Sequence, residues 1–218
     1  MASKNHVLYL RGSCPPEKLI SLWDKFNRFY DLDMTRLERS RLRKKGFASA
    51  RMFLLARKDF GSGNSTGAQD IEWILMRSEG LLNAAAADAR ERWLSAVDNK
   101  QRIQIDGLEL VRLTREGNQS PSWTWRFSRD LYEELRNSIV EDIRHHRIDR
   151  LSDTVERIWR APGFAGVRAQ GKSLMKLIKD EQIRSQKPSA LIDLPQRFGY
   201  IRRIPDKGMR LSFFLKNK

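Results

Sequence analysis

The chain has 218 residues, of which 40% are hydrophobic and 9% aromatic, enough for the core of one ordinary domain or two small ones. Lysines and arginines number 42 against 27 aspartates and glutamates, so the formal net charge is +15 and the pI is near 10.3. This composition excludes a fully disordered chain and a fibrous repeat. It favours a polyanionic partner, either nucleic acid or an anionic membrane surface.

The cysteine count and the hydropathy of the chain limit the kinds of site and the cellular compartment that we expect. Cys14 is the only cysteine, which excludes an intramolecular disulfide and a zinc site built from several thiolates. Residues 1–10 lack a secretory signal core, and the longest apolar runs fall far short of the roughly 18 residues of a membrane span. We therefore expect no membrane span and a reducing interior, the bacterial cytoplasm or nucleoid. A membrane surface is also disfavoured as a partner, because the basic stretches lack Trp, Phe or Leu on an opposite face.

The charge is segregated along the chain. Residues 1–66 carry 14 basic and 6 acidic side chains, residues 67–143 carry 10 and 14, and residues 144–218 carry 18 and 7. Solubility alone asks for a net charge of roughly 2–8 and no segregation. Two basic lobes that flank a mildly acidic middle therefore favour a binding role over a merely solvated surface.

The first part of the chain predicts a mixed α and β layer. We expect strands over residues 7–11, 47–58 and 71–77, with a helix that opens at Pro15-Pro16 before the second of them. Asn83–Asp98 predicts a helix with Trp93 and Val97 on one side, and residues 103–114 and 122–127 predict another strand pair. This order fits an α+β fold with a ferredoxin-like or similar antiparallel sheet layer, and we place this domain at residues 1–128.

The remainder, residues 129–218, predicts a helical module that ends in a β-hairpin. Ser128 is the expected cap of a first helix, Ser152 that of a second, and residues 167–186 form a third that contains Gly171. Strands over 200–204 and 209–214 join at a Pro-Asp-Lys-Gly turn. Three helices followed by a basic hairpin are typical of a winged helix-turn-helix, in which one helix enters the major groove.

Three groups of cations are the candidate nucleic-acid contacts. Four lie on one stripe of the third C-terminal helix, at steps of four, four and three: Arg168, Lys172, Lys176 and Lys179. Four lie on the hairpin: Arg202, Arg203, Lys207 and Arg210. Six lie in a segment near the N-terminus that has Glu38 as its only acid: Arg36, Arg39, Arg41, Arg43, Lys44 and Lys45.

Aromatic side chains offer two weaker candidates for base stacking. Lys45-Gly46-Phe47-Ala48 matches the first half of the RNA-recognition-motif octamer, and the second half does not match; the mechanism would be stacking of bases on Tyr9 and Phe47. Trp123, Trp125 and Phe127 alternate on a strand and share a face, as a stacking platform or, more commonly, as sheet core.

Catalytic patterns are poor, and we assign no catalytic residue. His145 and His146 are adjacent, so on a helix their side chains point about 100° apart, which disfavours binding of one metal ion by both. Acids on predicted strands could imitate a nuclease metal site, but Val111 stands where the expected lysine would be; these acids are Asp70, Glu72, Asp106 and Glu109. The glycine-rich loop over 61–67 lacks the Gly-Lys-Ser/Thr of a phosphate loop, and we expect no cofactor and no metal.

These patterns favour a non-enzymatic nucleic-acid-binding protein, with DNA as the favoured target. It would bind the phosphate backbone with both basic lobes, residues 1–66 and 144–218. It could serve the regulation, replication or transfer of a bacterial DNA element. The first alternative is a protein that binds or processes structured RNA, of the CRISPR endoribonuclease type, although Gly199 and Gly208 stand alone where such proteins carry a glycine-rich loop. The second is a basic subunit that binds protein partners or a second copy of itself.

Overall fold

A computed structural model describes residues 5–55, 70–83, 86, 91–114, 120–185 and 194. Two compact units divide the chain, Met1–Arg102 and Ile103–Lys218. This division differs from the expected boundary at residue 128, because the strands over residues 104–127 pack with the C-terminal helices. The expected hairpin over residues 200–214 lies outside the described residues.

The first unit is a four-stranded antiparallel sheet with two helices between its first and second strands. Its elements are β1 (Leu8–Cys14), a 3-10 turn (Pro16–Lys18), α1 (Leu19–Tyr30), α2 (Arg36–Lys44), β2 (Ala50–Leu55), β3 (Ile71–Arg77) and β4 (Leu94–Ser95). The strand order is β2-β3-β1-β4. The register places Leu75 of β3 beside Leu10 of β1 and Met52 of β2, so these three apolar side chains share one face of the sheet.

The core of the first unit lies between that face and α1. Phe26 and Tyr30 of α1 pack with Leu75 and Ala50, all four of them buried. The rings of Phe26 and Trp73 lie 5.2 Å apart. The three- and four-residue spacing of apolar residues in α1 therefore does serve the core, as the sequence predicts.

The helix expected over Asn83–Asp98 is wrong in its C-terminal part. Leu94–Ser95 forms β4, which pairs with Tyr9 and Leu8 of β1, and the Ala96 N–H donates to the Val7 carbonyl at 2.7 Å. Pairing with residues 94–96 satisfies the backbone N–H and C=O groups at this edge of β1, and this pairing outweighs the helix propensity of the segment. Val97, assigned to the apolar side of the helix, is 53% exposed. Residues 84, 85 and 87–90 lie outside the described part.

The second unit is a three-stranded antiparallel sheet followed by three helices. Its elements are β5 (Gln104–Ile105), β6 (Leu108–Leu113), β7 (Ser122–Phe127), α3 (Arg129–Arg144), α4 (Ile148–Trp159) and α5 (Ala165–Ser185), with strand order β5-β6-β7. Asp106 and Gly107 both have positive φ, 48° and 73°, and make the two-residue turn between β5 and β6.

Of the three helix starts in this unit, one agrees with the sequence, one is wrong and one differs by two residues. Ser128 caps α3, because its side chain accepts a hydrogen bond from the Leu131 N–H. The cap expected at Ser152 is wrong: α4 begins at Ile148, and Ser152 is an exposed residue within it. The third helix, α5, starts two residues before the expected position and contains the buried Gly171.

The helices of the second unit enclose a core of almost fully buried aliphatic side chains. Ile139 and Ile143 of α3 meet Leu174 and Ile178 of α5, and all four are at most 1% exposed. A side chain of α5 also holds the sheet: the Phe127 N–H donates to Gln170 Oε1 at 2.7 Å, and Gln170 Nε2 donates to the Phe127 carbonyl. Helix α5 is thus fixed on its inner side, and its outer side is left to solvent.

Within the described ranges, no helix combines the length and the apolar composition that crossing a bilayer would require.

Candidate nucleic-acid interface

The basic segment near the N-terminus becomes the amphipathic helix α2. Thr35 and Glu38 form a capping box at its start, since each side chain accepts a hydrogen bond from the backbone N–H of the other. Four of the six expected cations are exposed and form what we name the α2 surface: Arg36, Arg41, Lys44 and Lys45. Helical spacing places Arg41, Lys44 and Lys45 within about 100° of one another.

The other two cations of this segment face inward, which corrects the expectation that they contact phosphate. Arg39 is 9% exposed, and its Nη1 donates to the Leu32 carbonyl at 3.3 Å. Burial lowers the pKa of Arg39, and the positive charges of Arg51 and Arg43 lower it further. Arg43 Nη1 donates to Ser49 Oγ at 2.9 Å. Both guanidiniums therefore tie α2 to the unit.

The second cationic surface is the α5 stripe, which consists of the four expected residues Arg168, Lys172, Lys176 and Lys179. The three lysines are exposed and Arg168 is half-buried. Helical geometry places all four within an arc of about 80° along roughly 17 Å of the helix axis. The spacing read from the sequence therefore does produce one row of cations on the outer side of α5.

Carboxylates of the second unit neutralise other arginines and leave the stripe uncompensated. Arg157 pairs with Glu134 at 3.3 Å, and Arg160 pairs with Glu156 at 2.5 Å. The α5 stripe takes no part in any ion pair within the described residues, and the same holds for the α2 surface. The expected hairpin contacts Arg202, Arg203, Lys207 and Arg210 lie outside the described residues.

The aromatic candidates separate into core and surface. Tyr9 is 3% exposed and its hydroxyl donates to the Gln101 carbonyl, so stacking of bases on Tyr9 is wrong. Phe47 lies before β2 rather than on a strand, and it is 38% exposed. Phe127 belongs to the core of the second unit, and the ring of Trp125 lies 6.4 Å from that of Phe164.

The groups considered for catalysis do not assemble into a site. His145 caps the C-terminal end of α3 and His146 follows it, and both are exposed. Glu109 is buried against Arg126, whose Nη2 lies 2.6 Å from Glu109 Oε1. Within the described ranges, no three His, Cys, Asp or Glu side chains are grouped as metal ligands would be.

A cleft in the first unit was not expected from the sequence. We name it the Phe47 cleft: it lies between the ends of α1 and α2 and the described residues that follow β3, and it is a shallow depression open to solvent. Residues on its wall include Tyr30, Asp31, Phe47, Ser49, Arg77 and Asn83. One signal was present in the sequence: Arg77 alternates with Trp73 and Leu75 on β3, so it is a charge on the core face of a strand.

Comparisons of this chain with known protein families, with curated proteins and with solved structures gave no match.

Proposed function

We propose that this protein binds nucleic acid, with DNA as the favoured target, and that it does so without catalysing a reaction. The observation that carries this proposal is the pair of solvent-facing cation rows, the α2 surface and the α5 stripe. Cations that lack carboxylate partners are free to displace counterions from a phosphate backbone, which is the main source of sequence-independent affinity.

We further propose a role for each unit. The strand order β4-β1-β3-β2, with helices between β1 and β2, supports a ferredoxin-like layer in the first unit. The three helices of the second unit, together with the basic hairpin that the sequence predicts after them, support a winged-helix-like module there, with α5 as the helix that lies along the groove. Arg168 and Lys172, on the N-terminal half of the stripe, would then reach base edges.

The test measures binding to labelled duplex DNA, single-stranded DNA and structured RNA over a salt series. The eight cations of the two surfaces, seven of them exposed, imply a fall in affinity of roughly 10³–10⁵ between 50 and 200 mM salt. Replacing Lys172, Lys176 and Lys179 together by glutamine should reduce the slope of log affinity against log salt by about three.

A matched control removes the same charge from the same unit. Arg136, Arg157 and Arg160 are exposed, but each lies beside a glutamate, so their triple glutamine variant should leave the slope nearly unchanged. Affinity that is insensitive to salt would overturn the proposal, and equal losses in both triple variants would remove the role of the stripe. A strong preference for structured RNA would favour the RNA-binding alternative.

A further inference from the structure

The rim of the Phe47 cleft is held by backbone hydrogen bonds rather than by side-chain packing. The Phe47 N–H donates to the Leu42 carbonyl at 3.1 Å, and the next residue donates its N–H to the Leu81 carbonyl at 2.8 Å. Gly80 closes the rim with φ +130°, and a Cβ there would lie 2.7 Å from the Gly46 carbonyl oxygen. The backbone that carries the exposed Phe47 ring is therefore held in place, so the backbone has little conformational freedom left to lose on binding.

One wall of the cleft carries a guanidinium group. Arg77 lines the cleft and is half-buried, and its Nη1 donates to the Ser78 carbonyl at 3.4 Å. Its guanidinium carbon lies 4.7 Å from the centre of the Trp93 ring. A guanidinium offers donors and no acceptor, so a ligand that supplies a carbonyl or ring nitrogen would be favoured on this wall.

Another part of the wall carries an acceptor, the carboxylate of Asp31. Asn83 Nδ2 donates to Asp31 Oδ2 at 3.5 Å, and Asn83 Oδ1 accepts from the Ala86 N–H at 2.7 Å, which leaves the other lone pairs of the Asp31 carboxylate for a ligand. A carboxylate inside the cleft opposes entry of a phosphate, and it accepts hydrogen bonds from amino groups. The occupant that matches a flat apolar rim, a donor and an acceptor is a neutral heterocycle with both kinds of group on its edge.

Exposed cations directly precede Phe47 in the chain. Lys44 and Lys45 lie three and two residues before it, at the end of α2, and both are exposed. Negative charge is therefore favoured next to Phe47 on this side, and a neutral ring inside the cleft. That division of charge is the division between the phosphate and the base of a nucleotide.

We propose that the Phe47 cleft receives one unpaired nucleobase of a bound nucleic acid, stacked on Phe47, while the flanking phosphates lie on Lys44 and Lys45. This inference rests on the proposed nucleic-acid binding and names the part of the nucleic acid that the first unit recognises. Stacking on an aromatic side chain is tolerant of sequence, so we expect a preference for unpaired nucleotides rather than for one particular base.

The test compares two duplexes that differ in one group. Both carry a single bulged nucleotide, with a base in one duplex and an abasic sugar in the other, so their phosphates are equal in number. The 218-residue chain should bind the base-containing bulge about tenfold more tightly. Phe47→Ala should remove this preference and leave the salt slope unchanged, whereas Leu37→Ala, which removes an exposed side chain of α2 outside the cleft, should retain it.

The outcomes separate the two proposals. Equal, salt-dependent binding of both duplexes would overturn the cleft and leave the proposed function intact, while absence of salt-dependent binding would overturn the proposed function itself. Thermal unfolding checks that both variants are folded. A second measurement uses the unaltered protein: 5-iodouracil at the bulge, on irradiation, should crosslink to the peptide that contains Phe47, and crosslinks confined to other peptides would contradict the inference.

Discussion

The two side chains of the ion pair between Glu109 and Arg126 differ in burial, so removing one should affect stability differently from removing the other. The two residues face each other on β6 and β7, and the Arg126 Nε also lies 2.6 Å from Glu109 Oε1. The glutamate side chain is 6% exposed and the arginine side chain 31%. Removing the arginine takes the cationic partner from a buried carboxylate, whereas removing the carboxylate leaves an arginine that can turn toward water.

We therefore predict that Arg126→Met destabilises the protein more than Glu109→Gln does. The arginine variant should lose about 2 kcal/mol, because the buried carboxylate loses its cationic partner, and the glutamine variant about 1 kcal/mol, since an amide can still accept from Arg126. Urea unfolding of both variants measures the two free energies. Equal losses, or a larger loss for Glu109→Gln, would show that the buried carboxylate is not the costly partner.

Among the helices and strands, the contact between α5 and β7 depends on the absence of a side chain. The Gly166 N–H donates to Thr124 Oγ1 at 3.2 Å, and a Cβ on Gly166 would lie 2.5 Å from the Trp125 carbonyl oxygen. The obstacle is backbone, which cannot rotate away as a flexible side chain could. The first turn of α5 and strand β7 would therefore have to separate to admit a methyl group.

Helix propensity and packing make opposite predictions for Gly166→Ala. Propensity favours alanine over glycine in a helix by about 1 kcal/mol. Overpacking against a fixed wall costs about 1–3 kcal/mol, so we predict a net loss of stability. Thermal unfolding should show a lower midpoint for Gly166→Ala, and a higher one would mean that α5 does not sit on β7 as closely as described. Ala169→Gly, at an exposed position of the same helix, is the comparison in which propensity alone should act.

The sequence predicts the elements whose signal is local and repeated. Helices α1, α3 and α5 show apolar residues at three- and four-residue steps, so the core faces and the cation stripe could be placed before the structure was known. Strand β4 has two residues and is defined by its pairing with β1, more than 80 positions away in the chain. No local pattern carries that information, and the alanine-rich sequence before it favours a helix.

The Phe47 cleft is likewise built from residues that are distant in the sequence, so local patterns could not predict it. Phe47 could be singled out as an aromatic beside a basic helix, but the stacking partner inferred for it, Tyr9, belongs to the core. Its actual neighbours on the cleft wall, Arg77 and Asn83, come from a segment 30 or more positions later. Charge counting likewise could not separate the inward Arg39 from the exposed Arg41, because that difference depends on which side of α2 faces the sheet.

At the scale of the whole molecule, each unit contributes one cationic surface to a single chain. When a polyanion binds one surface, the other meets it at a raised effective concentration, and the two binding free energies then add. Surfaces that act on separate ligands behave differently, since weakening one leaves the other at full strength. The response of affinity to variants of each surface distinguishes these two modes.

We predict that the surfaces act on one nucleic acid. Replacing the α2 surface (Arg36, Arg41, Lys44 and Lys45) by glutamine should weaken binding to a duplex of about 30 base pairs and lower the salt slope by about four. The stripe triple variant should add its own loss in full, so that the logarithms of the two losses sum in the combined variant. Fluorescence anisotropy titrations at two salt concentrations measure all four proteins. In the contrary outcome, each set of substitutions alone has almost no effect and only the combined variant loses affinity. The two surfaces would then bind nucleic acid independently, as two separate sites.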